Sequence, residues 1–308
     1  MSELAIELCG VSKRFGDRVA VERLDLAVPR GSLYGFIGPN GSGKTTTIRM
    51  ILRITVPSGG RVRVLGDEKA QAADDRTGYL PEERGLYRRM RVRETLSFFA
   101  RLKGLRRPDA VVDHWLERLG LAERAHERVQ SLSKGLAQRL QFAVAVVHRP
   151  ALVILDEPFS GLDPVSADRL REVIIELKRA GTTIVLSTHD MAAAERLCDA
   201  VMMIHQGHKV LDGPLDAIKA RYPSETVRVA FDGVPPALGG LPGVAQVNDF
   251  HREAELVLAP GADPQALLAV LALRGRVQRF EISRPSLHEI FVGIAGERAP
   301  ERRSENPA

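Results

Sequence analysis

Strict alternation of apolar and polar positions opens the chain. Residues 3–9 and 19–28 alternate, with Leu24, Leu26 and Val28 on one face, which predicts two strands of a half-exposed antiparallel sheet with Phe15 in the link between them. Leu33-Tyr34-Gly35-Phe36-Ile37 reads as a buried strand, and behind it Ile48, Ile51 and Leu52 keep helical spacing. Pro57-Ser58-Gly59-Gly60 stops the chain. Arg61–Leu65 then predicts another alternating strand ending at Gly66-Asp67, and Gly78-Tyr79-Leu80-Pro81-Glu82-Glu83 a short strand leading into a loop.

From about Val92 to Val147 the period is helical. Leu96, Phe99 and Leu102 share one face and Val111, Trp115 and Leu119 another, with a break at Gly120 and a final helix from about Leu136 to His148. The apolar run Ala151–Leu155 after Pro150 marks a strand buried on both faces of a parallel sheet. A helix at 166–179 and a strand at Thr182–Ser187 complete a β-α-β unit. The helix Met191–Leu197, the strand Ala200–His205 and the turn Gln206-Gly207 close a first domain near residue 220. Arg221-Tyr222-Pro223 reads as a linker. Strands near 225–231, 244–250 and 253–259, a helix at 264–273, a strand at 276–283 and a helix at 285–294 predict a small α+β domain over 221–296. Glu297–Ala308 reads as a disordered tail.

Composition narrows the class. The 308 residues suffice for a full core and about two domains. No apolar run approaches the roughly 18 residues of a membrane span. Met1-Ser2-Glu3-Leu4 opens with neither a basic nor a long apolar region, so no secretory signal is expected and the predicted location is cytoplasmic. Cys9 and Cys198 form no metal or redox spacing. The net charge of +5 is concentrated: Arg84–Arg107 holds nine basic residues against the single acid Glu94. Such a run is an ordinary solvated face, or a contact for an acidic partner or headgroups.

One stretch carries chemistry by itself. Gly38-Pro39-Asn40-Gly41-Ser42-Gly43-Lys44-Thr45-Thr46 matches the phosphate-binding pattern G-x-x-x-x-G-K-[ST] in full, between a strand and a helix. The glycines let successive backbone N–H groups face one point, Lys44 adds a positive charge, and Thr45 offers a hydroxyl to Mg²⁺. The strand Leu152–Leu155 delivers Asp156 and Glu157 at its carboxyl end, where open parallel sheets bind ligands. Asp156 suits Mg²⁺, and Glu157 suits orienting and deprotonating a water that attacks a γ-phosphate. His189 follows the strand Thr182–Ser187 and is expected on the same rim, bonded to the γ-phosphate and holding that water. His205-x-x-His208 lacks companion ligands for zinc. Ser133-Lys134-Gly135 at the mouth of a helix is either a second anion site or an ordinary N-cap.

Together these segments resemble the nucleotide-binding subunit of an ATP-binding-cassette (ABC) transporter over about residues 4–220. The resemblance implies an α/β fold: a P-loop NTPase cassette of mixed sheet core, antiparallel β subdomain and helical subdomain (about 87–150), plus the small C-terminal α+β domain. In it Gly38–Thr46 is the phosphate loop, Leu152–Glu157 the Mg²⁺ and catalytic-glutamate strand, and Ser160-Gly161-Leu162-Asp163 the dimer-contact loop. His189 is the switch histidine, and Phe15 stacks on adenine. Leu132-Ser133-Lys134-Gly135-Leu136 resembles the signature motif, with Lys134 and Leu136 in place of its usual glycine and glutamine. Glu82 stands where the family carries a glutamine that touches Mg²⁺. A carboxylate there can still bind the ion, at the cost of extra negative charge.

The implied cofactors are ATP and Mg²⁺, the latter held by Thr45, Asp156 and Glu82. The implied assembly is a head-to-tail homodimer, each ATP lying between the loop around Lys44 of one copy and Ser133 and Gly135 of the other. Separate transmembrane permease subunits at the cytoplasmic face of the membrane are the implied partners, and no nucleic acid is expected. A soluble relative acting on ribosomes or DNA is the rival. One cassette per chain and the lack of a long coiled-coil insertion argue against it. Residues 222–294, with Arg284–Phe291 near the end, resemble the accessory domain of bacterial export cassettes.

Overall fold

The computed structural model describes residues 3–68, 75–83, 85–222, 226–233, 236–251, 253–283 and 285–297. Arg84, Pro223, Arg284 and the tail 298–308, which the sequence reading used, lie outside the described residues. The chain divides into two compact units, Met1–Pro214 and Leu215–Ala308.

The first unit runs β1 (Leu4–Phe15), β2 (Arg18–Pro29), β3 (Leu33–Ile37), α1 (Lys44–Ile51), β4 (Gly59–Val64), β5 (Thr77–Leu80), α2 (Val92–Leu102), α3 (Asp109–Arg118), two short 3-10 turns, α4 (Lys134–Val146), β6 (Leu152–Asp156), α5 (Pro164–Arg179), β7 (Thr183–Thr188), α6 (Met191–Leu197), β8 (Ala200–His205) and β9 (His208–Pro214). β1, β2 and β4 form an antiparallel sheet in the order β2-β1-β4. Phe15 is not in a link: it ends β1, opposite Arg18, across a turn of only Gly16-Asp17. Register shifts along β1 break the alternation there, which is why the sequence pattern lost the strand early.

The second sheet has the order β5-β6-β7-β3-β8-β9, parallel except for β9. Every residue of β3, β6 and β7 is buried. Apolar side chains of α1 (Ile48, Met50, Ile51) and the following Leu52 join Ile6, Leu24 and Leu26 of the antiparallel sheet and Phe36, Ile154 and Met202 of the parallel one in a single core. Each such burial is worth about 2 kcal/mol against exposure. The order β6-β7-β3 sets three carboxyl ends side by side, so the loop after Ile37, the pair Asp156-Glu157 and the pair Thr188-His189 share one rim.

The helical stretch is as expected in extent, but its faces differ. α2 buries Val92, Thr95, Leu96 and Ala100, while Leu102 is 65% and Phe98 42% exposed. Tyr87, Phe98 and Phe99 pack ring on ring at 5.3–6.2 Å between centroids. α3 buries Val112, Trp115 and Leu116, followed by Leu119, so its inward row starts one residue later than Val111. α4 starts at Lys134, two residues earlier than read, because Ser133 serves as its N-cap.

The second unit comprises α7 (Leu215–Ala220), β10 (Thr226–Phe231), β11 (Val244–Asp249), β12 (Glu253–Leu258), α8 (Pro264–Arg274), β13 (Val277–Ser283) and α9 (Leu287–Glu297). Its strands form an antiparallel sheet in the order β11-β12-β10-β13. Val227, Val229, Ala254 and Leu256 pack with Leu267 and Leu271 of α8. Among the described residues no helix is long and apolar enough to cross a membrane.

Candidate active site

The loop after β3 is shaped by its glycines. Gly38 (φ 150°) and Gly43 (φ 114°) occupy backbone regions that L side chains rarely adopt, and neither has room for one. A Cβ on Gly38 would collide with the Ile204 carbonyl oxygen, and one on Gly43 would stand 2.7 Å from the Ala20 carbonyl oxygen. Close packing of the loop on β2 and β8 thus requires glycine at both. α1 begins immediately at Lys44. Its N-cap, Gly43, has no side chain to satisfy the first N–H groups, and no acid stands in the first turn. The helix end is therefore free for an external anion. Ser42 Oγ is buried and has no hydrogen-bond partner among the described residues. Lys44 Nζ folds back to donate to the carbonyls of Gly38 (2.7 Å) and Pro39 (3.1 Å). Burial lowers the Lys44 pKa, while Glu157, Asp156 and Glu82 oppose that shift. The orphaned hydroxyl, the open helix end and the glycine cradle fit a group with several anionic oxygens.

Across the cavity stand the carboxylates. Asp156, the last residue of β6, is 1% exposed. Its Oδ1 accepts from Ser187 Oγ (2.7 Å) and its Oδ2 from Thr45 Oγ1 (3.2 Å). Burial raises its pKa, with the two hydroxyls pulling it back. Glu157 has φ 49°, a left-handed conformation that costs a non-glycine residue about 1 kcal/mol or more. The turn is held because Glu157 N donates to Ser187 O (2.9 Å), and it aims the side chain along the rim. Glu157 Oε1 accepts from His189 N (2.9 Å) and lies 2.7 Å from His189 Nδ1, and Oε2 accepts from Thr188 Oγ1 (3.2 Å). A carboxylate fixed on both oxygens beside a histidine can orient and deprotonate a water. His189 is thus tied to Glu157, a partner beyond the γ-phosphate and water expected for it.

A cavity of about 540 Å³ gathers most of the expected residues: Phe15, Asn40, Gly41, Gly43, Lys44, Thr45, Thr46, Glu82, Asp156 and Glu157 line it, together with Arg18 and Ala20. Among the described residues no cluster of three His, Cys, Asp or Glu is arranged to hold a metal unaided. Ser133 and Gly135 do not line this cavity. Ser133 is exposed and accepts a 3.4 Å bond from Leu136 N. A Cβ on Gly135 would stand 3.5 Å from Ser166 Oγ and 3.6 Å from Asp163 Oδ2, so this segment packs against the Ser160–Asp163 loop instead. Ser187, Thr188 and Arg18 belong to no motif of the sequence. A hydroxyl pair ending an otherwise apolar strand was the available signal for the first two.

Comparison with known proteins converges on one family. The ABC transporter family matches residues 21–160. An ABC transporter ATP-binding protein of Bacillus subtilis (strain 168) is 40% identical over 288 residues, 93% of this chain and 97% of its own. The chain belongs to the ABC transporter ATP-binding proteins. As a member it is an ATPase, and its cassette has the α/β P-loop fold that the motifs implied. Residues 213–295 of this ABC ATP-binding protein match the C-terminal domain of DrrA1-3-like ATP-binding proteins. The Nod factor export ATP-binding protein I of Bradyrhizobium diazoefficiens is 41% identical over 306 residues, 96% of this chain and 98% of its own. A solved ATP-binding subunit of an ABC transporter superposes with a TM-score of 0.66 at 32% identity, covering 71% of this chain and 93% of that one.

Proposed function

We propose that this ABC ATPase powers an exporter as a head-to-tail homodimer docked on separate transmembrane permease subunits at the cytoplasmic face of the membrane. The observation that carries the reading is the division of the site: the phosphate loop, Asp156 and Glu157 share one cavity, while Ser133 and Gly135 lie outside it. In this reading the N–H groups of Gly41–Thr45 and the Lys44 ammonium bind the triphosphate, and Phe15 stacks on the base. Thr45 and Asp156, with Glu82, hold Mg²⁺, which when bound neutralises phosphate charge. Glu157 takes the proton of the attacking water. His189 keeps the Glu157 carboxylate in place and presents its other ring nitrogen to the reacting phosphate. Ser133 and Gly135 of a second copy close over the nucleotide from outside, and hydrolysis reopens the pair.

Export rests on the Nod factor export relatives, which the chain matches nearly end to end, and on the DrrA1-3-like C-terminal domain. The permease-facing surface in this reading lies on α2 and the segment before it. Arg93 pairs with Asp109 and Asp113, Arg91 with Glu94 and Lys103 with Asp75. Arg88, Arg89 and Arg101 have no side-chain partner among the described residues, and they stand beside exposed Tyr87, Phe98 and Leu102. Unpaired arginines around apolar rings suit a short acidic, apolar segment of a membrane subunit. Reversing Arg88 and Arg89 to Glu is expected to abolish transport while leaving ATPase activity near normal. The test of the whole reading is capture of tagged protein carrying Glu157→Gln from detergent-solubilised membranes with ATP present. A multi-span protein is the expected companion; ribosomes or DNA, with nothing from the membrane fraction, would overturn the reading in favour of a soluble role.

A further inference from the structure

A second cleft opens at the far end of the parallel sheet from the nucleotide. It holds about 750 Å³ between α3 and α5 and reaches Pro150 and Ala151, just before β6, the strand whose carboxyl end carries Asp156. That volume is in the range of small-molecule sites. Val111 and Trp115 of α3 and Val173 and Leu177 of α5 make its walls apolar, and the His114 ring stands edge-on to that of Trp115, with centroids 5.5 Å apart. Two arginines line the cleft, and they differ. Arg118 is taken: it reaches from α3 to α5, where its Nε donates to Glu176 Oε2 at 3.0 Å and Glu172 stands within ion-pair distance. Arg149 is exposed, and its side chain has no hydrogen-bond or ion-pair partner among the described residues. Its backbone is left-handed (φ 53°), a costly conformation for a residue with a side chain, pinned by a 2.9 Å bond from Arg149 N to Val146 O.

The lining selects the ligand. Apolar walls with two rings favour a planar aromatic body, which gains burial and ring contacts together. Glu176 matches the charge of Arg118, so Arg149 leaves one positive charge uncompensated in the cleft. An anionic group supplies what that guanidinium lacks, and Thr182, also in the lining, offers a hydroxyl with no partner among the described residues. The walls also lead to the chemistry. β6 ends at Asp156, and α5 follows its N-cap Asp163, in the loop against which Gly135 packs. We propose that the cleft is an effector site for an aromatic monoanion, its rings between α3 and α5 against Trp115 and its carboxylate or sulfonate on Arg149, and that occupancy changes the rate of ATP hydrolysis. The site is independent of the dimer closure proposed above.

The probe is anilinonaphthalenesulfonate, an aromatic monoanion, titrated into the folded full chain. Trp115 is the single tryptophan of the sequence, so energy transfer from tryptophan to the probe reports this cleft. Saturable transfer is expected, undiminished by ATP or by Lys44→Ala. Arg149→Glu should weaken binding about tenfold or more, the scale of one lost charged hydrogen bond. Phenylnaphthylamine, the same rings without the anion, should bind the native protein about as weakly and be indifferent to Arg149→Glu. Ala110→Phe, at an exposed position of α3 that lines the cleft, should abolish transfer. Laurate, an anion without rings, should compete about fivefold less well than naphthoate, the scale of one lost ring contact. Saturating probe should move kcat by about fivefold, the low end of allosteric coupling, with KM for ATP little changed. Competition by ATP, or binding that Lys44→Ala removes, would put the probe in the nucleotide cavity and overturn the site. Transfer that neither Arg149→Glu nor loss of the sulfonate weakens would reduce it to adventitious adsorption. Laurate matching naphthoate would overturn the aromatic class, and an unchanged kcat at saturation the effector role.

Discussion

The two segments that the proposed function turns toward phosphate are built in opposite ways. Asp156 and Glu157 are buried, and their carboxylate oxygens are met by Ser187, Thr45, Thr188 and His189. Ser133 is exposed, and its hydroxyl receives a bond at the long limit of 3.4 Å. The carboxylates are pre-positioned by their own chain and lose nothing to reorganisation when a reaction begins. The serine keeps its capacity for something outside the chain, since a weak local bond costs little to exchange. On the proposed reading, chemistry is set up within one copy and closure is left to another.

Glu157→Gln attacks the first region hardest. It is expected to reduce turnover by about 10²–10⁴, the range for a lost general base, while ATP binding by equilibrium dialysis stays normal. Loss of binding as well would show that the carboxylate shapes the pocket and does no proton transfer. Ser133→Arg in the second region is expected to cost at least about a hundredfold in turnover, as for a lost donor to reacting oxygens, with nucleotide binding to the isolated copy unchanged. Leu136→Ala beside it should stay within about twofold, the scale of a surface change of about 0.5 kcal/mol. Comparable rates for the two variants would remove the distinction between the regions.

Two smaller effects sharpen the first region. Gly38→Ala forces a side chain at φ 150° into the Ile204 carbonyl. It should lower unfolding free energy by about 2 kcal/mol or more, read from urea titration, whereas Gly41→Ala, with nothing within 4 Å, should be milder. The smallest effect is on pH. Burial raises the folded pKa of Asp156 above its ordinary 3.8, so between those values the folded state binds more protons than the unfolded one. Stability of the nucleotide-free protein therefore falls as pH rises through that window. Asp156→Asn should flatten this slope in thermal melts, and an unchanged slope would assign it to other groups.

Much of this was legible in sequence, for stated reasons. β6 is a continuous apolar run up to Asp156 and β7 centres on Ile184-Val185-Leu186, so the rim and its Asp156-Glu157 pair could be placed from pattern alone. The phosphate loop declared itself by spacing. Phe15 was misplaced because register shifts in β1 interrupt alternation just before a two-residue turn. Leu102 was grouped on one face with Leu96, which is buried, because an apolar residue at helical spacing looks the same whether it faces a core or stays exposed. β9 escaped because, as an edge strand, it is mostly half-buried and carries Gly213 and Pro214. The bond between His189 and Glu157 could not be read at all. It depends on the left-handed turn at Glu157 and on the β6-β7 register, neither of which leaves a periodic trace.

The central claim is that nucleotide is closed between two copies, and sedimentation of the Glu157→Gln protein tests it most directly. With Mg²⁺ and ATP it should run at twice the monomer mass, with ADP as a monomer, and adding Ser133→Arg should return the ATP form to monomer. A Glu157→Gln protein that binds ATP to saturation yet stays monomeric would contradict the account.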